Sequence, residues 1–262
     1  MVPEEQELTG GNASGRVVRI GNTVRKPWLD NSATVQDYLR ALRSSGVDVP
    51  RPLGRDDGGR NVFEYVDGVL ALEELPLGRD DLLRVGRMIR KIHDASEAFV
   101  IPDPGGWNML LPAEVPDLMC HNDLAPWNLV RGDRWVFIDW DGAGPSTRLW
   151  DLAYAAQSFA MLLDGQPVEE SAARLRALVD GYQADDTLRA ELPAAMARRT
   201  EAMFNLLESA HGTGFQPWAD MFVNGHGEHW RGAALYVRQH QSAWEQALAR
   251  PWSTERPGSA LE

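Results

Sequence analysis

The sequence predicts an α+β fold in two lobes, a small β-rich one followed by a larger, mostly helical one. Three observations predict it. The first sixty-odd residues read as short strands around one helix, the chain changes character at Asp67-Gly68, and long helical patterns dominate after Asp151. The expected division is residues 1–66 and residues 67–262. A chain of this length can bury one large core or two coupled ones.

Arg16–Ile20 and Thr23–Lys26 flank Gly21-Asn22, a pair suited to a tight hairpin turn. The preceding segment, Leu8–Gly15, is too rich in glycine for a helix. From Thr34 onward, Val35, Tyr38, Leu39 and Leu42 recur at helical spacing, and Gly46 ends the pattern. Pro50 and Pro52 introduce another strand, Gly58-Gly59 turns the chain, and Asn61–Val66 forms the last strand of the lobe. Asp80 and Asp81 suit a helix N-terminus, with Leu83, Met88, Ile89 and Ile92 as its apolar stripe. A connection rich in Pro and Gly, from Pro102 to Pro116, leads to the apolar run Trp135–Ile138, which reads as a strand. Helical patterns then cover roughly residues 168–182, 187–210 and 227–249.

With 44% hydrophobic and 24% charged residues the chain has an ordinary globular balance, which argues against disorder. No apolar run approaches the roughly 20 residues of a membrane span. The start, Met1-Val2-Pro3-Glu4-Glu5, is acidic and unlike a signal peptide. The single cysteine, Cys120, excludes an intramolecular disulfide and fits a reducing cytoplasm. A net charge of −12 disfavours nucleic acid and anionic membranes as partners. Residues 1–66 carry nine bases and nine acids, so the whole imbalance lies in the second lobe. Such a field either serves solubility or attracts a cationic ligand.

The chemistry-bearing segment is His121-Asn122-Asp123-Leu124-Ala125-Pro126-Trp127-Asn128, followed by Ile138-Asp139-Trp140-Asp141. Phosphoryl transfer needs phosphates held in line, a metal to neutralise charge, and a carboxylate that orients the acceptor hydroxyl. Asp123 can accept the acceptor's proton. Asn128 offers a carbonyl oxygen to Mg²⁺, a hard ion that prefers oxygen ligands. Asp139, at the end of an apolar strand, is suited to hold the same ion. Asp141 reads either as a second metal contact or as a solvated turn residue.

His-x-Asp-x-x-x-x-Asn with the Ile-Asp-Trp-Asp strand resembles the aminoglycoside phosphotransferase/choline kinase-like family, relatives of protein kinases. The version from Cys120 to Asn128 is similar to a branch of small bacterial phosphotransferases. The likeness extends to Trp150-Asp151-Leu152-Ala153 and to the hairpin from Val17 to Pro27. It implies a bilobal protein kinase-like fold with ATP and Mg²⁺ between a nucleotide-binding N-lobe and a C-lobe that binds a small-molecule acceptor. Asp123 then matches the catalytic base, and Asn128 and Asp139 match the metal ligands. His121 matches a loop-bracing histidine, and Asp151 a buried carboxylate that hydrogen-bonds the catalytic-loop backbone.

On the nucleotide side, Gly10, Gly11 and Gly15 let the backbone approach phosphates or else form an ordinary hairpin tip; their order is not Gly-x-Gly-x-x-Gly. Lys26 ends the strand where the family carries a base on the nucleotide phosphates, and Arg25 points to the opposite face of a regular strand. The usual glutamate partner is missing, because the helix from Thr34 offers only Gln36 and Asp37. Glu64-Tyr65-Val66 resembles the hinge, where the backbone of Glu64 and Val66 would bind a purine edge without separating ATP from GTP. The acidic second lobe favours a cationic acceptor such as an aminoglycoside or a basic antibiotic. A small-metabolite kinase for choline, a sugar or homoserine, and a nucleotide-binding but catalytically weak immunity or regulatory module, are the alternatives. The chain is expected to act as a monomer or homodimer.

Three features read more plainly. Cys120 is a small buried filler. His226 and His229, beside Gly225 and Gly227, read as exposed or acceptor-lining residues at a helix start and not as a zinc site. Of the ten tryptophans, Trp127, Trp218 and Trp230 are the candidates for the acceptor cleft.

Overall fold

Strand pairing in the first lobe follows from its turns. The computed structural model describes residues 5–8, 15–102, 107 and 109–249. A five-stranded antiparallel sheet, in the order β1-β2-β3-β5-β4, comprises β1 (Gln6–Glu7), β2 (Val18–Ile20), β3 (Thr23–Lys26), β4 (Pro52–Arg55) and β5 (Asn61–Glu64). The Gly21-Asn22 turn sets the β2–β3 register, Val18 facing Arg25 and Ile20 facing Thr23. Helix α1 (Ser32–Ser44) packs on this sheet by burying Val35, Tyr38, Leu39 and Leu42, the four residues at helical spacing. The Tyr38 hydroxyl continues inward to donate to the carbonyl of Met119, so α1 also touches the second lobe.

Past residue 66 the chain enters a second sheet, in which β6 (Val69–Leu70) pairs with β8 (Leu129–Arg131) and β8 with β9 (Trp135–Phe137). A two-stranded ladder of β7 (Leu118–Cys120) and β10 (Gly144–Ser146) lies beside it. The helices are α2 (Arg79–Ser96), α3 (Arg148–Phe159), α4 (Val168–Tyr182), α5 (Asp186–Thr213), α6 (Trp218–Met221), α7 (Gly227–Gln239) and α8 (Gln241–Leu248). Helices α2 and α4 cross so closely that glycine is required on both. A Cβ on Gly86 would sit 2.1 Å from the Leu178 carbonyl oxygen, and one on Gly181 would sit 2.2 Å from that of Leu83. The main core runs from α1 through α2, α3 and α4 to Trp244 of α8.

Two sequence expectations change here. Helix α3 was not marked by periodicity, because Asp151 through Gln157 are all buried and a helix covered on every side shows no polar face. The expected helix over 227–249 is two helices that break at His240, where φ is −106° and ψ 18°. The Trp244 indole N–H donates to the Val237 carbonyl across that break, which folds α8 back onto the core without any Gly or Pro to announce it.

Candidate active site

The loop between β7 and β8 carries Asp123 and Asn128, and the loop between β9 and β10 carries Asp139. His121, fully buried, ties the two loops together. Its Nε2 donates to the Ile138 carbonyl at 3.0 Å, and its Nδ1 accepts from the Asp123 backbone N–H at 3.3 Å. Asn122 stands between them with φ +65°, a left-handed conformation that asparagine tolerates better than most residues. Three clamps hold that turn. The Asp151 Oδ1 accepts from the Asn122 N–H at 2.8 Å, and the Asn122 side-chain amide donates to the Gly142 carbonyl at 3.0 Å and the Gly144 carbonyl at 3.3 Å. Asp151 is itself held by His93, whose Nε2 donates to Oδ2 at 3.0 Å while Nδ1 accepts from the Tyr182 hydroxyl at 2.9 Å.

Asn128 spends both amide hydrogens on Asp123, one on its carbonyl at 2.9 Å and one on its carboxylate at 2.8 Å. That leaves the Asn128 Oδ1 as the atom available to a cation. Burial pushes the Asp123 carboxyl above the ordinary aspartate range, and Asp139 adds to the shift. His121 and hydrogen bonds from Tyr154 and Asn128 oppose it. Tyr154, whose own proton is held tightly by burial and by the charge of Asp123, therefore donates its hydroxyl to that carboxylate.

Asp139 also adopts the left-handed region, with φ +59° and ψ 67°, which turns its carboxylate toward β3. Lys26, 6% exposed, reaches it across the cleft, its Nζ lying 3.0 Å from Asp139 and 2.6 Å from Asp141. Burial alone would lower the Lys26 pKa, but the two carboxylates outweigh it and drive the pKa up. Asp139 is correspondingly held below the ordinary carboxylate range, burial being overcome by the adjacent ammonium. Neighbouring Arg25 goes to the other face and pairs with Asp56 at 3.1 Å. Gln36 of α1 does not take the place of a glutamate. Its Nε2 donates within its own lobe, to Asn61 at 2.5 Å and Gly54 at 2.8 Å. The acidic partners of Lys26 thus come from the second lobe. Asp141, 16% exposed in its side chain and anchored through its carbonyl by Asn31, is not a solvated turn residue.

The remaining sequence candidates are more scattered. Gly10 and Gly11 lie outside the described residues. Gly15 has φ +70° and packs against Pro27, 3.2 Å from where a Cβ would stand. Glu64 donates its N–H to the Arg51 carbonyl, so that group is already engaged in the sheet, and its carboxylate pairs with Arg134 at 3.0 Å. Val66 is buried with Val130 and Val136. Cys120 is buried and its thiol is pushed well up, first by burial. It lies near His93 and Asp151, but those two are spent on each other and on the loop. His229 is exposed, as expected for a helix start, and its pKa is lowered by partial desolvation and by His226.

Two residues were missed from the sequence. Tyr154 follows Asp151 by three positions on α3, a spacing that could have flagged it. Arg199 sits on α5 at helical spacing from Leu192, Met196 and Met203, a stripe that could have separated it from exposed Arg198. Tyr154 also joins an aromatic wall beside Asp123. The Trp127 ring meets it edge-on at 6.3 Å, Trp230 stacks on it at 6.0 Å, and Trp218 and Phe222 pack onto the same cluster.

A profile of the phosphotransferase enzyme family matches residues 107–192, which span both loops of the site. The chain is 31% identical over 194 residues to the trifolitoxin immunity protein of Rhizobium leguminosarum bv. trifolii, covering 67% of this chain and 72% of that one. Three solved structures resemble it along nearly the whole chain. A choline/ethanolamine kinase family protein from Mesorhizobium loti gives a TM-score of 0.61 at 19% identity, covering 93% of this chain and 92% of that one. A microcompartment-associated aminopropanol kinase gives 0.64 at 18%, covering 94% of each chain. An amicoumacin kinase solved with AMP-PNP, Ca²⁺ and Ami gives 0.63 at 16%, covering 92% and 88%. At these identities the likeness establishes the fold, which is the bilobal protein kinase-like one.

Proposed function

The chain belongs to the phosphotransferase enzyme family, and from that premise we propose that it moves the γ-phosphoryl of a purine nucleoside triphosphate to a hydroxyl of a small, cationic acceptor. The observation that carries the reading is the pairing at the loop. Asn128 gives both its amide hydrogens to Asp123, which fixes the carboxylate and leaves its Oδ1 as the atom that would serve a hard cation. Asp139, aimed by its left-handed backbone, supplies a second oxygen ligand, and the donor set fits Mg²⁺. Such an ion, when bound, neutralises the charge on the phosphates.

The chain's own residues do the rest. Asp123 takes the hydroxyl proton as the acceptor oxygen bonds to the γ-phosphorus and the bond to the β-phosphate oxygen breaks, releasing the nucleoside diphosphate. Burial raises its pKa above the ordinary aspartate range, which makes it a stronger base than an exposed aspartate. Lys26 steadies the phosphates once they compete with Asp139 and Asp141 for its ammonium. His121 and Asp151 keep the loop in shape. The aromatic wall of Trp127, Tyr154 and Trp230, together with the acidic second lobe, favours a cationic acceptor. Amino-alcohol kinases among the structural neighbours agree with that class.

The test is ATP consumption against amino alcohols, aminoglycosides and neutral alcohols, with Asp123→Asn as control. Transfer should fall about 10²–10⁴-fold in that variant, with nucleotide affinity retained. Undiminished transfer would sink the mechanism, and activity confined to neutral or acidic acceptors would sink the cationic assignment. The immunity-protein relative is compatible with a second reading, nucleotide binding without turnover. That reading predicts that the wild type binds ATP but consumes none with any acceptor.

A further inference from the structure

We infer that Arg199 is a positioning residue for the loop that carries Asp123, holding the Asn122 carbonyl and the Tyr154 ring so that the carboxylate meets the acceptor at a fixed angle. What it says about turnover rests on the phosphotransfer reading above. Arg199 projects from α5, and only 6% of it is exposed. Among the described residues it forms no ion pair, and its Nη1 is buried without a hydrogen-bond partner. Burying a guanidinium with so little local return is costly, which marks it as a group kept for more than stability. Its contacts say what for. The guanidinium lies 4.4 Å over the Tyr154 ring and 5.6 Å over the Trp150 ring, and its Nη2 donates to the Asn122 carbonyl at 3.4 Å.

Two routes therefore lead from Arg199 to Asp123. One runs through the backbone. Asn122 holds its left-handed turn because Asp151 takes its N–H, Gly142 takes its side-chain amide and Arg199 takes its carbonyl, and Asp123 is the next residue. The other runs through Tyr154, whose ring rests on the guanidinium and whose hydroxyl reaches the Asp123 carboxylate. His121 and Asn128 grip Asp123 from the other sides, so Arg199 completes the enclosure from the acceptor lobe. A planar fork can stack on two rings while it donates to a carbonyl. Lysine keeps the charge but loses the stacking and the fork.

The experiment compares the full-length wild type with Arg199→Met and Arg199→Lys. MgATP turnover is measured with 1-amino-2-propanol and with water as acceptors, and amide hydrogen exchange is followed across residues 121–125. In Arg199→Met, kcat should fall about 10²-fold while the KM for MgATP stays within about twofold, because only the angle of attack is disturbed. Exchange at Asn122 to Leu124 should quicken, and Arg199→Lys should recover only part of both. If Arg199→Met does not fold, Arg199→Lys decides, since it keeps the buried charge. Wild-type kcat and unchanged loop exchange in Arg199→Lys would overturn the proposal. If the wild type turns over neither acceptor, the phosphotransfer reading is what fails on those probes. Loop exchange then still decides the positioning role, and unchanged exchange overturns it.

Discussion

In the sheet lobe, Lys26 finds its acidic partners across the cleft on Asp139 and Asp141, whereas the loop that bears Asp123 is clamped from inside the helical lobe by His121, Asn128 and Asp151. The difference teaches where this site is conditional. The Asp123 loop is preformed, since each clamp is a partly buried hydrogen bond within one packed unit. Lys26 is held by an ion pair between lobes, which, under the proposed function, a phosphate chain and its cation would have to share or displace. Absence of a glutamate on α1 is the sequence root of that asymmetry, because among the described residues the acidic partners of Lys26 are Asp139 and Asp141 and none comes from its own lobe.

The largest expected effect breaks the preformed half. Asp151→Ala strips the partner from both the Asn122 N–H and the His93 Nε2–H, and should cost about 2–5 kcal/mol of stability by urea unfolding, since two shielded donors are left unsatisfied. A loss under about 1 kcal/mol would mean that the brace is not holding the loop.

Lys26→Met probes the conditional half and should cost less, about 1–2 kcal/mol, because Asp139 keeps access to water. Its pH dependence has a definite sign. Asp139 is depressed by the ammonium, so the wild type's advantage is present above the ordinary aspartate range and is lost as pH falls through the depressed value. Paired unfolding curves at neutral and acid pH check this. A gap that widened toward acid would contradict the coupling.

The smallest effect lies one residue away. Arg25→Ala removes the pair with Asp56 and a hydrogen bond to the Thr23 hydroxyl, on the other face of the same strand, and should change stability by about 1 kcal/mol or less. A cost as large as that of Lys26→Met would erase the contrast between the two faces of β3.

Much of this was legible beforehand where local pattern and local chemistry coincide. The β2–β3 hairpin was marked by Gly21-Asn22, and α1 and α4 by apolar spacing. Helix α3 was not, because complete burial erases the polar face that periodicity depends on. Strands β7, β8 and β10 are three residues each, too short to show alternation. In the site, Asp123, Asn128 and Asp139 stood out because their chemistry is written in adjacent segments. Arg199 did not, since its place on the apolar face with Leu192, Met196 and Met203 marks it as inward-facing but not as a neighbour of Asn122 and Tyr154.

By itself, then, the sequence determined the strand-rich segment before the helical one, the His121–Asn128 loop with Asp139 after it, and the concentration of negative charge in the second lobe. These depend on residue type and short spacing, which chain order preserves. The tertiary structure alone decided that Lys26 pairs with Asp139 and Asp141, and that Tyr154 and Arg199 close around Asp123. Lys26 and Asp139 are 113 positions apart, and Arg199 and Asn122 are 77 apart. Contacts at such separation are set by how helices and sheets pack, and no local pattern encodes them.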